Sequence, residues 1–210
     1  MVNGLSVRKA AQESGVDRTT SFRWRHRMLA LPASENDTEL ENIVEADETY
    51  FLESFKGQRE LPRQARDRGR CAKTRLSVEQ IPVLVVQDRQ GKHYDAALPK
   101  VDKQTLGSLL PQLLPPESVL CTDGAGVYRA VAKAETIAHE PFNLAQGTRV
   151  RQRVFHIQHV NAYDSRLKQW VRRFNGVATR YLPNYLDWRR LLERAGKDLS
   201  AEAWLRHAMG

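Results

Sequence analysis

The longest strongly apolar run in the chain is Ile81–Val86 (IPVLVV), six residues with no polar side chain to turn toward water. It is too short to span a membrane, and an element this apolar must be covered on both faces, as a strand inside a sheet is. Arg89-Gln90-Gly91 supplies a turn and Lys92–Leu98 a second strand, so the pair reads as a hairpin. Upstream, Ile43–Phe51 alternates, with Val44, Ala46 and Glu48 on one face and Glu45, Asp47 and Thr49 on the other. Downstream, Asp102 is placed to cap a helix over Lys103–Leu114 that Pro115-Pro116 ends. Ser118–Thr122 is a short buried strand ending at Asp123-Gly124, and a helix follows over Val127–Ala134. Glu140–Arg153 has no clear period and reads as a strand-like link, after which long helices are expected over Val160–Phe174 and Tyr185–Arg194. This order implies an α/β fold with a mixed sheet flanked by helices, not a doubly wound one.

Ahead of the sheet, Ser6 can cap a first helix, Gly15 breaks it, and Asp17 can cap a second. The small-residue-then-glycine turn is that of a helix-turn-helix, which places Arg18, Thr19, Thr20 and Arg23 on the exposed start of a recognition helix. Leu31–Asn42 is a polar, acidic linker, and Phe55–Ser77 is basic and without period, the composition of a long flexible loop.

Charge is distributed unevenly. Ser34–Glu53 holds eight acids and no Lys or Arg, whereas Lys56–Arg75 holds eight basic residues against Glu60 and Asp67. Arg149–Arg190 holds ten basic residues against Asp164 and Asp187. With a net charge of +8 and a pI near 9.7, two such tracts favour a polyanion as partner. Trp170, Phe174, Tyr181, Tyr185 and Trp188 interleave with the second tract and could stack on bases, although their helical spacing suits a core better. Cys71 and Cys121 form no CxxC pair, so neither a zinc cluster nor a disulfide framework is expected. With no membrane-length run and no leader at Met1, the expectation is a cytoplasmic protein.

Asp47 lies near the end of the first strand pattern, and Asp123 immediately follows the short buried strand. Either acid alone would be a surface group or a turn residue. Together they gain meaning, because α/β sheets collect ligands at strand ends. Asn161 opens the long helix and Lys168 lies at i+7, close to two turns on, so the two share a face. Oxygen ligands on separate rigid elements, with a lysine beside them, suit magnesium-dependent phosphoryl transfer.

The segments VEADETYF, CTDGAGVYRA and HIQHVNAYDSRLKQWVRRFNGVATRYLPNYLDW resemble, in order and spacing, the transposases of the ISXO2-like (IS1595) insertion-sequence family. The resemblance runs over about residues 5–192. It implies a DDE-superfamily transposase that cuts and joins insertion-sequence ends, built on a ribonuclease H-like fold. The implied organisation is a helix-turn-helix remnant at 1–31, an acidic linker at 32–42, a catalytic domain at 43–192 containing a basic loop at 54–78, and a helical tail at 193–210.

The resemblance further implies that Asp47 and Asp123 hold two Mg²⁺ (or Mn²⁺) ions, with Asn161 as third ligand where most DDE enzymes have Glu, and Lys168 beside it. His156 falls at the family's histidine ahead of the third ligand. Asn in place of Glu removes one negative charge from the ion shell, which Asp164, one turn on, or Glu48, beside Asp47, could restore. Asp164 can equally pair with Lys168, and Glu48 faces away from Asp47 in a regular strand. Lys168, Arg166, Arg172 and Arg173 would track the DNA backbone, and Arg18, Thr20 and Arg23 would meet DNA from the helix-turn-helix. His139 and His159 read as structural or surface groups. The implied partners are double-stranded DNA, at element ends and target, and further copies of the chain in a homo-oligomer on that DNA, in the nucleoid of a bacterial cytoplasm. Members often carry an N-terminal zinc ribbon, for which this chain has no cysteines, and Met1 falls near the middle of the expected DNA-binding unit. A truncated or catalytically inactive DNA-binding copy is therefore the alternative.

Overall fold

The computed structural model describes residues 3–30, 39–64, 79–142, 154–196, 200–202 and 204. Residues 32–38 of the expected linker, 65–78 of the basic loop, 143–153 of the patternless segment and most of the tail beyond 196 lie outside the described residues. The chain divides into two compact units: Asn36–Glu53 with Arg66–Arg166, and Met1–Glu35 with Ser54–Ala65 and Leu167–Gly210.

At the N-terminus the Ser6 hydroxyl accepts from Lys9 N at 3.4 Å and caps α1 (Val7–Glu13), and the Asp17 carboxylate accepts from Thr19 N at 2.6 Å and caps α2 (Arg18–Leu29). Gly15 turns the chain between them at φ +64°. Arg25 is 4% exposed on α2, donates to Leu5 O at 2.6 Å and lies over the Trp188 and Phe174 rings, 5.2 and 5.8 Å from their centroids.

The other unit is built on a mixed sheet that, among the described residues, has five strands: β1 (Ile43–Leu52), β2 (Gln80–Asp88), β3 (His93–Ala97), β4 (Val119–Thr122) and β5 (Ala138–Pro141). They lie in the order β3-β2-β1-β4-β5, with β1, β2 and β3 antiparallel and β1, β4 and β5 parallel. The parallel steps carry helices α3 (Lys103–Leu113) and α4 (Gly126–Ala134), as parallel crossovers require. Order and direction are those of a ribonuclease H-like fold. Asp102 caps α3 as its position predicts, accepting from Thr105 N at 2.8 Å.

One face of this sheet is apolar: Val44, Ala46, Leu84, Val86 and Leu120 pack with Leu106, Leu110, Leu113, Tyr128 and Val131 of α3 and α4. The opposite face of β1 and β3 buries polar groups, Glu45, Thr49 and Asp95. Helix α5 (Gln158–Arg172) satisfies two of them. Glu45 Oε2 accepts from the backbone N–H of His159 at 2.8 Å and Val160 at 3.2 Å, and Asp95 Oδ2 accepts from the Tyr163 hydroxyl at 2.5 Å. Helix α5 therefore begins two residues earlier than its apolar period predicts. Its first N–H groups are met by a carboxylate from a distant strand, which no local pattern announces.

β5 also departs from the sequence reading, which placed no strand before Glu140. AHEP is four residues long, has one strand partner, and shows neither alternation nor an apolar run.

In the helical unit α6 (Leu182–Ala195) starts three residues ahead of expectation because Pro183 supports its first turn, directly after a 3-10 turn at Thr179–Tyr181. Trp170, Phe174, Tyr185 and Trp188 pack on one another with centroids 4.9–6.0 Å apart and all are buried, so these aromatics form a core and not a base-stacking face. Tyr181 stacks on His26 at 3.9 Å. Among the described residues no helix is long and apolar enough to cross a membrane.

Candidate active site

The parallel pairing of β1 and β4 aligns Glu45 with Cys121. Two residues on along each chain come Asp47, still on β1, and Asp123, in the turn just past the end of β4, and the charge of both reaches the Glu48 carboxyl. Both lie toward the carboxyl end of β4, where parallel strands collect ligands. Asp47 is half-buried and Asp123 exposed.

The loop after β4 holds Asp123 in a tight turn. Its Oδ1 accepts from Ala125 N at 2.9 Å, while Thr122 Oγ1 accepts from Gly124 N at 3.1 Å and lies 2.9 Å from His139 Nε2. Gly124 has φ +81°, and a Cβ there would meet Pro141 Cβ at 3.3 Å and Phe142 O at 3.4 Å. Only glycine fits both the dihedral and the space.

Glu48 adds a third carboxyl. Its carboxyl is held up to about 7 by burial first and then by the Asp47 and Asp123 carboxylates, against the opposing hydroxyl of the buried Tyr128. Alternation along β1 turns Glu48 to the face of Val44 and Ala46, as expected, yet the field of both aspartates reaches it. Carboxylate oxygens from Asp47 and Asp123, whose charge reaches Glu48, are a donor set that hard divalent cations fit, since such cations take carboxylate oxygens and neutralise them.

Asn161 is exposed and is the fourth residue of α5, not its opening one. It follows directly on His159 and Val160, whose amides are tied to Glu45, two residues before Asp47. Asp164 is buried on the stripe of Val160, Tyr163 and Leu167. Lys168 is exposed two turns on from Asn161 along α5. Arg166, Arg172 and Arg173 are exposed, with the Arg166 guanidinium 5.9 Å from the Tyr163 ring centroid. On α2, Arg18 and Arg23 are exposed and Thr20 is half-buried.

His156 and His159 belong to one cluster. Nδ1 of His156 lies 3.2 Å from Glu45 Oε1, and Nδ1 of His159 lies 3.0 Å from it. Arg89, at the end of β2, pairs with the same carboxylate and places Nη1 3.1 Å from His156 Nδ1 and 2.9 Å from His159 Nδ1. Burial first, then the Arg89 charge, lowers the pKa of both imidazoles. The expectation that His159 has no ligand-like partner is thereby corrected, whereas His139 makes a structural contact, its Nε2 meeting the Thr122 hydroxyl. Sequence reasoning missed Glu45 and Arg89 altogether. The available signal was the i, i+2 spacing of Glu45 and Asp47, which puts a second acid on the ligand face of β1.

No curated protein matches the chain. Among solved structures, a chain of the simian T-cell lymphotropic virus intasome in complex with PP2A regulatory subunit B56 gamma is similar at 12% identity and TM-score 0.41, over 96% of this chain and 62% of that one. A chain of the pre-cleavage Mos1 transpososome is similar at 13% identity and TM-score 0.31, over 93% of this chain and 75% of that one. The Mos1 transposase paired-end complex with left transposon end gives 13% and 0.29, over 97% and 73%. The chain thus spans less than two thirds of the first of these structures. Residues 39–189, well over half of the 210-residue chain, match the ISXO2-like transposase domain, and the chain belongs to that family.

Proposed function

We propose that the protein is a metal-dependent DNA transposase that hydrolyses a phosphodiester at an insertion-sequence end and joins the freed 3′-hydroxyl to target DNA. The observation that supports this reading is the parallel β1/β4 pairing, which ends two residues short of Asp47 and Asp123, together with the Glu48 carboxyl, held up to about 7 by burial first and then by the charge of both aspartates. In this reading residues 43–192 form the catalytic domain with a basic loop at 54–78, residues 1–31 a helix-turn-helix unit after which 32–42 act as linker, and 193–210 a helical tail.

Asp47 and Asp123 would hold two Mg²⁺ or Mn²⁺ ions, with the Asn161 side-chain oxygen as a neutral third ligand and Asp164 or Glu48 as the nearest further acids. Bound there, the ions supply Lewis-acid stabilisation of the phosphoryl oxygens and ease deprotonation of the attacking hydroxyl. The chain's own groups do the rest. Asp47, on β1, and Asp123, in the turn after β4, define where the scissile phosphate sits. Lys168 neutralises a phosphate oxygen, and His156 acts through the start of α5. In the first step water attacks phosphorus and the 3′-oxygen leaves with a proton; in the second that hydroxyl attacks a target phosphodiester and displaces another 3′-oxygen. Arg166, Arg172 and Arg173 would follow the backbone, and Arg18, Thr20 and Arg23 would meet the element end. Two ends must be held together for joining, which a homo-oligomer on DNA provides, in the nucleoid of a bacterial cytoplasm.

A strand-cleavage and strand-transfer assay on element-end DNA with Mg²⁺ or Mn²⁺ tests the proposal. Cut and joined products from the wild type, lost in Asp47→Asn and Asp123→Asn, are expected. Salt-sensitive DNA binding with no cleavage under either metal would instead leave a DNA-binding copy without chemistry.

A further inference from the structure

Glu45 is fully buried at the centre of the sheet, and a buried carboxylate costs several kcal/mol unless its charge is matched. Its two oxygens are divided between two tasks. Oε2 takes the first amides of α5, those of His159 and Val160, and so caps the helix from another strand. Oε1 pairs with Arg89. The Arg89 Nη2 donates to Val154 O at 2.9 Å and His156 O at 3.3 Å, the backbone that leads into α5. One guanidinium therefore touches β1, the approach to α5, and α5 itself.

Glu45, His156 and His159 offer ligand atoms within 4.8 Å of one another, the donor set of a metal site. However, Arg89 Nη1 already stands within hydrogen-bonding distance of all three. The guanidinium takes the place that a metal ion would fill. It is also held there: Asp88 Oδ1 accepts from Gln90 N at 2.8 Å and Lys92 N at 3.0 Å, which locks the β2–β3 turn next to Arg89.

We propose that Arg89 is the positioning residue for Asn161. By clamping Glu45, His156 and His159, it fixes the start of α5 against β1, and hence the third ligand against Asp47. The step from α5 to ion binding rests on the transposase reading; the clamp itself does not.

Arg89→Met and Arg89→Lys in the full chain test this with two independent readouts. Amide hydrogen exchange at His159 and Val160 should quicken about tenfold or more in Arg89→Met, as expected when a charge-assisted contact worth about 1.4 kcal/mol is lost, while the β2–β3 amides stay protected. Arg89→Lys should fall between, because an ammonium keeps the charge but cannot fork to both carbonyls. Exchange at His159 and Val160 equal to wild type in either variant would overturn the clamp. If Arg89→Met does not fold, Arg89→Lys alone decides on the same criterion.

Titration with Mn²⁺ alone should show weaker binding in Arg89→Met by several-fold, with DNA affinity unchanged and cleavage slowed. Unaltered Mn²⁺ binding with quickened exchange would overturn the link to Asn161. Stoichiometric Zn²⁺ binding by the wild type that His156→Gln abolishes would mean that the cluster takes a metal, and would overturn the clamp as well. A wild type that cuts no DNA refutes the transposase reading and leaves the exchange result standing.

Discussion

Asp47 and Glu48 are chain neighbours that β1 turns to opposite faces, and the difference gives each its own chemistry. Asp47 is on the face of β1 that carries Glu45, and in the proposed site it holds the cations together with Asp123. Glu48 sits among the apolar residues under α4 and is held up to about 7, so near neutrality it is partly protonated and a weaker ligand than either aspartate. Removing a charge from the aspartate pair should therefore hurt far more than changing any neutral group. Asp47→Asn or Asp123→Asn should lower the DNA cleavage rate by about 10³-fold or more with little loss of DNA binding. Single-turnover cleavage and a binding titration, run side by side on each variant, check both halves. In the proposed site Asn161 is a ligand that carries no charge, and Asn161→Ala should raise the Mg²⁺ concentration for half-maximal cleavage by about tenfold. An unchanged midpoint would assign the third ligand elsewhere, with Asp164 as the first alternative.

The turn from β4 into α4 and the packing of α2 are the elements where single substitutions speak most clearly. Gly124→Ala must force φ +81° on a residue with a Cβ and press that carbon into Pro141 and Phe142. A cost of about 2 kcal/mol is expected, or a thermal midpoint lowered by about 4–8 °C for a chain of this size, with cleavage lost because Asp123 moves. His26 on α2 stacks on Tyr181, and burial, then Arg25 and Arg180, lower its pKa to about 4. The unfolded chain takes up a proton near 6.5 that the folded chain refuses until about 4. His26 thus contributes full stability above 6.5, and that contribution is lost as the pH falls toward 4. His26 is half-exposed, so after screening the loss is about 1–2 kcal/mol. His26→Phe keeps the stacking and should flatten denaturant stability between pH 6.5 and 4 relative to wild type; parallel curves would refute it.

These elements also separate what local sequence reveals from what it hides. Ser6, Asp17 and Asp102 are recognisable caps because the accepting side chain lies within three residues of the amide it meets. The start of α5 is not, because its cap is Glu45, more than a hundred residues away, and its cation, Arg89, lies on a third element. Asp47 and Asp123 stood out as strand-end acids, but that β1 and β4 are neighbours, pairing Glu45 with Cys121, follows only from a register that period-2 patterns do not carry.

At the scale of the whole chain, the net charge of +8 and the long α5 belong to one argument. A single helix carries Asn161 near its start and Lys168 and Arg172 toward its end. Exposed side chains along this helix can meet phosphates, while Trp170 and Phe174 are buried and offer no base-stacking face. Binding through this surface should be blind to sequence and steep in salt. Each phosphate contact releases counterions worth about 0.9 in the slope of log association constant against log salt on duplex DNA. The triple variant Arg166→Ala, Arg172→Ala, Arg173→Ala should lower that slope by about two to three, with the same loss on element-end and unrelated duplexes. Arg18→Ala with Arg23→Ala, on α2, should reduce the preference for element ends over unrelated DNA instead. Fluorescence anisotropy across a salt series with both duplexes separates the two, and a triple variant with the wild-type slope would remove α5 and the residue after it from the DNA-binding surface.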